Sequence, residues 1–152
     1  DGAPAPPPRS PPVTNPTKML NILLVDDDEV DVLNVRRAFK KANICNPLWV
    51  AGNGLEALEL LRSGNIPAHN RLVLLDLNMP RMNGIEFLRA LRADPDLALT
   101  TVVVLTTSSE ERDKVDAYHL NVAGYLVKPV TILDFVSVMA TLNKYWSLME
   151  MP

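Results

Sequence analysis

The chain has 152 residues, 47% of them hydrophobic, with a net charge of −3 and a sequence pI near 5.3. That length supports one well-packed domain and leaves little for a second, linked module. The acidic balance, with no concentrated basic segment, excludes the electrostatic footprint of a nucleic-acid binder, and no apolar run approaches the ~18 residues that span a bilayer. A single cysteine, Cys45, rules out an internal disulfide and fits a reducing compartment. The amino terminus carries no basic region followed by a hydrophobic one, so a cytoplasmic protein without direct nucleic-acid or membrane contact is expected.

Residues 1–18 hold over half of the chain's 13 prolines and almost no large apolar side chain, so they cannot offset the entropy lost on ordering. They are expected to be a disordered tail, either an expression remnant or an internal linker. Beyond them, β-rich apolar runs alternate with amphipathic segments, the pattern of parallel strands joined by crossover helices. Strands are predicted at 21–25, 48–51, 72–75, 101–105 and 124–127. The first helix starts near Asp28 and carries Val32, Val35, Phe39 and Ala42 on one face. Later helix starts place a capping side chain three residues ahead of an acid: Asn53 with Glu56, Asn83 with Glu86, Ser108 with Glu111 and Thr131 with Asp134. The helix expected over about 110–118 is mostly charged, which leaves few apolar anchors and makes it easy to move. In the last helix Ile132, Phe135, Val136, Met139, Leu142 and Trp146 recur at helical spacing and predict a core stripe packed on the sheet. Right-handed crossovers with an order switch beside the first strand give a five-stranded parallel α/β sheet of order 2-1-3-4-5, with helices on both faces.

Four of these strands end in residues that phosphoryl chemistry could use. LLV precedes Asp26-Asp27-Asp28, LVLL precedes Asp76, VVVL precedes Thr106 and YLV precedes Lys128. In such a sheet, ligands bind at the carboxyl ends of the strands beside the order switch. Neighbouring strands lie ~4.8 Å apart, so carboxylates ending the first and third strands can share a cation. Lys128 ends a strand two places from the third, roughly 10 Å away, and its long stem can span much of that gap. Asp26, Asp27 and Asp76 would repel one another unless a hard cation neutralised them, and Mg²⁺ suits an all-oxygen site. Cys45, His69 and His119 are too scattered to compete for zinc. Singly, each residue has a plainer role: Asp27 and Asp28 as helix caps, Thr106 as a strand end, Tyr125 as packing, Lys128 as a solvated cation. Their joint placement in strand order outweighs those readings.

The motifs ILLVDDDEVD, LLDLNMPRMNG, VVVLTTS and GYLVKP together resemble the two-component response-regulator receiver domains, as in the chemotaxis regulators, from residue 20 to about 145. The resemblance implies a flavodoxin-like, doubly wound (βα)5 fold over residues 19–148, flanked by the 1–18 tail and a short tail at 149–152. It implies Asp76 as phosphoacceptor, Asp27 as a direct Mg²⁺ ligand, Asp26 as its water-linked companion and Asn78 as donor of a backbone carbonyl to the metal. It also implies Thr106 as the switch hydroxyl, Lys128 as the phosphate-binding lysine, Pro129 as a cis-proline and Tyr125 as the switch aromatic.

The function so implied is signalling rather than enzymatic turnover. A sensor histidine kinase would pass a phosphoryl group from its phosphohistidine to Asp76. The surface of the fourth helix, fifth strand and fifth helix would then change for a downstream partner, with homodimerisation through that face. A looser resemblance, resting on the long 63–71 connection and on Tyr145-Trp146, is to single-domain regulators paired with bacterial phytochromes, and it points to a phytochrome-type kinase. Thr107 after the switch hydroxyl and the extra acids Asp28 and Glu29 depart from the family pattern and bear on how long a phosphoryl group survives. Two alternatives stay open. A haloacid-dehalogenase-like phosphatase would use Asp26 and Asp28 as Asp-x-Asp with Thr106 and Lys128, but it leaves Asp76 idle and lacks a later acidic pair. An unphosphorylated interaction module on the same fold would leave the whole constellation idle.

Overall fold

Parallel strands β1 (Asn21–Val25), β2 (Leu48–Ala51), β3 (Arg71–Asp76), β4 (Thr101–Thr106) and β5 (Gly124–Val127) form one sheet of order β2-β1-β3-β4-β5 in the computed structural model. Helices α1 (Glu29–Lys41), α2 (Gly54–Ser63) and α3 (Gly84–Ala93) cross between them. The structure describes residues 20–41, 43, 45–77, 79, 82–106, 115–116, 119–128, 131, 133–134 and 136–137. The strand order is the one the crossover pattern predicts. β3 extends beyond its apolar run at both ends, through Arg71, opposite Asn21, and Asp76, opposite Leu105, and β4 runs one residue further, through Thr106, opposite Val127. Hydrophobicity marks buried side chains, and main-chain pairing here outlasts it by a polar residue at each of these strand ends.

Alternation along the central strands divides the core into two layers. Leu23, Val25, Val73, Leu75, Val102 and Val104 pack against Ala57, Leu58 and Leu61 of α2 and Phe87, Leu88 and Leu91 of α3. Ile22, Leu24, Leu72, Leu74, Val103, Leu105 and Leu126 pack against Val35 and Phe39 of α1. A parallel sheet covered on both faces reads as continuous apolar runs for this reason. On α1, Val35, Ala38 and Phe39 are buried and Val32 is partly so, while Ala42 lies outside the described residues.

The caps follow the sequence signals with one variation. Glu86 N donates to Asn83 Oδ1 at 2.9 Å and Asn83 N donates to Glu86 Oε1 at 3.0 Å, a complete box. At α2, Glu56 N donates to Asn53 Oδ1, but Glu56 Oε1 accepts from Gly52 N, one residue earlier than a box requires. Asp134 N donates to Thr131 Oγ1 at 3.1 Å. The Ser108–Glu111 pair and both terminal tails lie outside the described residues.

One expectation changes in the last third of the chain. Val136 is helical yet 43% exposed, three residues after the 82% exposed Leu133, so it sits on an outward flank rather than in the expected core stripe. The other members of that stripe, Ile132, Phe135, Met139, Leu142 and Trp146, lie outside the described residues. Val115 is helical and buried in the α2–α3 layer, one apolar anchor in a stretch expected to have few, while the rest of that expected helix apart from Asp116 lies outside the described residues. Among the described residues no helix is long and apolar enough to cross a membrane.

At the amino-terminal rim of the sheet, Arg92 of α3 donates to four backbone carbonyls. Nη1 reaches Ala98 and Thr100, Nε reaches Leu120 and Nη2 reaches Asn121, at 2.6–3.0 Å. One guanidinium thereby ties the approach to β4 to the approach to β5, where His119 and Asn121 both take positive φ.

Candidate functional site

Because every strand runs the same way, the carboxyl ends of β1, β3, β4 and β5 open on one rim. Asp26 follows β1, and its N donates to Ala51 O, carrying the pairing with β2 one step beyond the ladder. Its Oδ1 accepts from Asp28 N at 2.9 Å, and Asp28 Oδ1 accepts from Val30 N at 2.8 Å. These local bonds turn the chain sharply into α1. The acidic run is thus divided: Asp28 serves the helix start, and Asp26 and Asp27 serve the rim.

Asp76 closes β3 on the α1 side of the sheet, following the alternation of Leu72 and Leu74. Behind it, Gly84 N donates to Leu77 O at 3.0 Å, which pulls the start of α3 against the end of β3. A Cβ at Gly84 would stand 2.5 Å from Leu77 Cα and 2.8 Å from Asp76 O, so only glycine permits this approach.

Asp26, Asp27 and Asp76 offer oxygens that all lie within 4.8 Å of one another. Asp26 and Asp76 are buried and Asp27 is exposed, so the trio forms a pocket open on one side. Lys128 follows Leu126 on the α1 side, and its N donates to Thr106 O at 2.9 Å. Its Nζ lies 2.7 Å from Asp31 Oδ2, 3.1 Å from Asp76 Oδ1 and 3.5 Å from Asp26 Oδ2.

These neighbours set the charges. Burial pushes the Asp26 carboxyl up to about 7; the Asp28 amide and Lys128 oppose that rise, and the negative charges of Asp76 and Asp31 add to it. For Lys128, burial alone would favour the neutral amine, but the hydrogen bond to Asp31 and the charges of Asp26 and Asp76 outweigh it and hold the ammonium form firmly. Asp26 Oδ2 is buried without a hydrogen-bond partner, the ammonium at 3.5 Å being ion-paired but not bonded to it. A buried oxygen left over among three converging carboxylates fits a hard divalent cation.

Thr106 and Tyr125 belong to the opposite face. Thr106 is buried and follows Val102 and Val104, while Tyr125 stands opposite Val104 in register and packs on the same layer. Tyr125 Oη donates to Asp116 Oδ1 at 2.9 Å. Asp26, Asp27, Asp76 and Lys128 are therefore brought together, with Thr106 and Tyr125 sharing the opposite face of the sheet at the same rim. Asn78, Pro129, Thr107, Tyr145 and Trp146 lie outside the described residues.

Two polar partners escaped the sequence reading. Asp31 stands one and two helical turns ahead of Val35 and Phe39, the sheet-facing stripe of α1, and an acid at such a position signals a buried cation. Asp116 carried no comparable signal, since it falls in a run of charges.

A family profile described as the response regulator receiver domain matches residues 22–140. The chain belongs to the response regulator receiver family. Response regulator Rcp1 of Synechocystis sp. is 36% identical over 137 residues, which cover 88% of this chain and 91% of Rcp1. The bacteriophytochrome response regulator RtBRR is 36% identical and superimposes with a TM-score of 0.74 over 82% of this chain and 78% of its own. The Mn²⁺-bound form of Rcp1, 35% identical, gives a TM-score of 0.63 over 84% of this chain and 94% of that one. This receiver is thus a signalling component of a two-component system, which removes the phosphatase alternative. Receiver domains bind Mg²⁺ or Mn²⁺ through acidic residues, and the acidic trio here is of that kind.

Proposed function

We propose that Asp76 is the phosphoacceptor of this receiver, taking a phosphoryl group from the phosphohistidine of a sensor histidine kinase in a Mg²⁺-dependent reaction. Asp26, Asp27, Asp76 and the backbone carbonyl of Asn78 would hold the metal. The observation that carries this reading is the setting of the Asp76 carboxylate, buried, 3.1 Å from Lys128 Nζ and grouped with Asp26 and Asp27.

In the transfer, an Asp76 oxygen forms a bond to phosphorus as the phosphorus–nitrogen bond breaks, and the imidazole leaves with that electron pair. Lys128 stays protonated throughout and balances charge on the phosphoryl oxygens. Mg²⁺, when bound, neutralises the carboxylates and polarises the phosphoryl group.

The phosphoryl group carries about −1.5 to −2 charges in place of the single charge of the Asp76 carboxylate, and its oxygens attract the Thr106 hydroxyl. Thr106 and Tyr125 share a face, so inward movement of the first gives the ring of the second room to turn, releasing Asp116. The altered surface of the fourth helix, fifth strand and fifth helix then meets a downstream partner or a second copy of the chain. A bacteriophytochrome-type kinase is the proposed donor, supported by the likeness to RtBRR and by the long 63–71 connection.

Labelled acetyl phosphate with Mg²⁺ tests the acceptor. The chain takes up label, Asp76→Asn does not, and chelation of Mg²⁺ abolishes uptake; label persisting in Asp76→Asn would overturn the assignment. Phosphotransfer from candidate kinases tests the donor. Sedimentation tests the dimer, and a monomer both with and without a phosphoryl mimic would exclude it.

A further inference from the structure

Among the described residues, the carboxylate nearest to Lys128 is not the acceptor. Its Nζ is 2.7 Å from Asp31 Oδ2, against 3.1 Å to Asp76 Oδ1 and 3.5 Å to Asp26 Oδ2. Asp31 comes from α1, 97 positions away in the chain, and its side chain is only 21% exposed. An acid on the sheet-facing side of a helix loses hydration and is tolerated there when a cation meets it.

Asp31 also stands outside the trio of carboxylates that converge on one point, Asp26, Asp27 and Asp76. A divalent cation at that trio and the Lys128 ammonium are like charges contesting Asp26 and Asp76. Asp31 supplies Lys128 with an anion of its own, so the amine keeps its place when a metal arrives. An ammonium has three hydrogens. One directed to Asp31 fixes the long, flexible stem, and two remain for oxygens on the acceptor.

We propose that Asp31 is a positioning residue for phosphoryl acceptance, holding the Lys128 ammonium beside Asp76 so that it meets the incoming phosphoryl oxygens in place. The inference rests on Asp76 as acceptor and names a residue which that reading does not use. The raised proton affinity of Lys128, to which the Asp31 bond contributes, agrees with it.

The test measures labelling by acetyl phosphate at saturating Mg²⁺ on the full chain, on its Asp31→Ala, Asp31→Glu and Lys128→Met variants, and on the double variant that combines Asp31→Ala with Lys128→Met. Hydrogen bonds between charged groups are strong, so Asp31→Ala slows labelling by about tenfold or more while Asp31→Glu recovers most of the rate. In the Lys128→Met background, loss of Asp31 changes the rate by less than about twofold, because the two residues act as one unit. Where Lys128→Met labels too slowly to follow, affinity for the phosphoryl mimic beryllium fluoride closes the same cycle.

Unchanged labelling in Asp31→Ala overturns the proposal. So does an equal slowing with and without Lys128, which would mark a general loss of negative field. Asp76→Asn, run in parallel, separates the two readings. Label persisting in it sinks the acceptor assignment, whereas label lost in it and unaffected by Asp31→Ala sinks only the positioning role.

Discussion

Tyr125 donates a 2.9 Å hydrogen bond from Oη to Asp116 Oδ1, so the aromatic ring on β5 is tied to the charged segment just before that strand. The tie opposes the inward turn that phosphorylation is proposed to drive. By linkage, whatever favours the inward ring also favours the phosphoryl group.

Asp116→Ala therefore tightens Mg²⁺-dependent binding of beryllium fluoride. An exposed hydrogen bond contributes ~0.5–1.5 kcal/mol, which corresponds to a two- to tenfold gain in affinity, read by titration. Equal or weaker binding would refute the coupling.

Asp26 sets a pH dependence. Its carboxyl has an ordinary value of 3.8 and is raised to about 7 in the fold, so between those values the folded chain binds a proton that the unfolded chain releases. The stability this group contributes is complete below the unfolded value and is lost as pH rises through the folded one. A divalent cation needs the ionised form and must displace that proton. Mg²⁺ affinity, followed calorimetrically, is expected to climb from about pH 5 to about pH 7 and then level off, with proton release accompanying binding in the lower range. Asp26→Asn removes this dependence and stabilises the metal-free chain at neutral pH.

Gly84→Ala tests the close approach behind Asp76. The added methyl meets Leu77 Cα and Asp76 O, both backbone atoms that cannot turn aside. Overpacking of this kind costs about 1–3 kcal/mol, measurable as a lower urea midpoint, and displacement of the β3 end slows labelling of Asp76 as well.

Arg92→Met separates fold from chemistry. It strips four carbonyls of a charged donor at the rim remote from the acidic trio. A loss on the order of 3 kcal/mol is expected in denaturant unfolding, with Mg²⁺ affinity changed by less than about twofold.

The rim acids and Lys128 were legible because each is a polar residue directly following an apolar strand, and strand order alone dictates which of them become neighbours. Helices on both faces of the sheet were legible too, from the succession of apolar strands and amphipathic segments. What stayed hidden was pairing between elements. Asp31 reads as one more acid after Asp28 and Glu29; its spacing from Val35 and Phe39 signals a cation, but only the geometry of α1 against the sheet identifies that cation as Lys128. Arg92 reads as an ordinary base complementing the last turn of α3, a role that needs no buried partner. Its four carbonyls come from two turns that lie far apart in the chain. The Glu56 carboxylate accepts from the main-chain amide of Gly52 rather than that of Asn53 because local backbone direction decides which amide a glutamate meets. Val136 met the helical period but fell on the flank of its stripe, where burial depends on what lies opposite.

The grip of Arg92 on Leu120 and Asn121 gives the sheet a fulcrum. If phosphorylation pulls on Thr106 at the far rim as proposed, the root of β5 stays where it is and the response is leverage: Tyr125 swings away from Asp116 about an anchored base, and β5 keeps its step against β4.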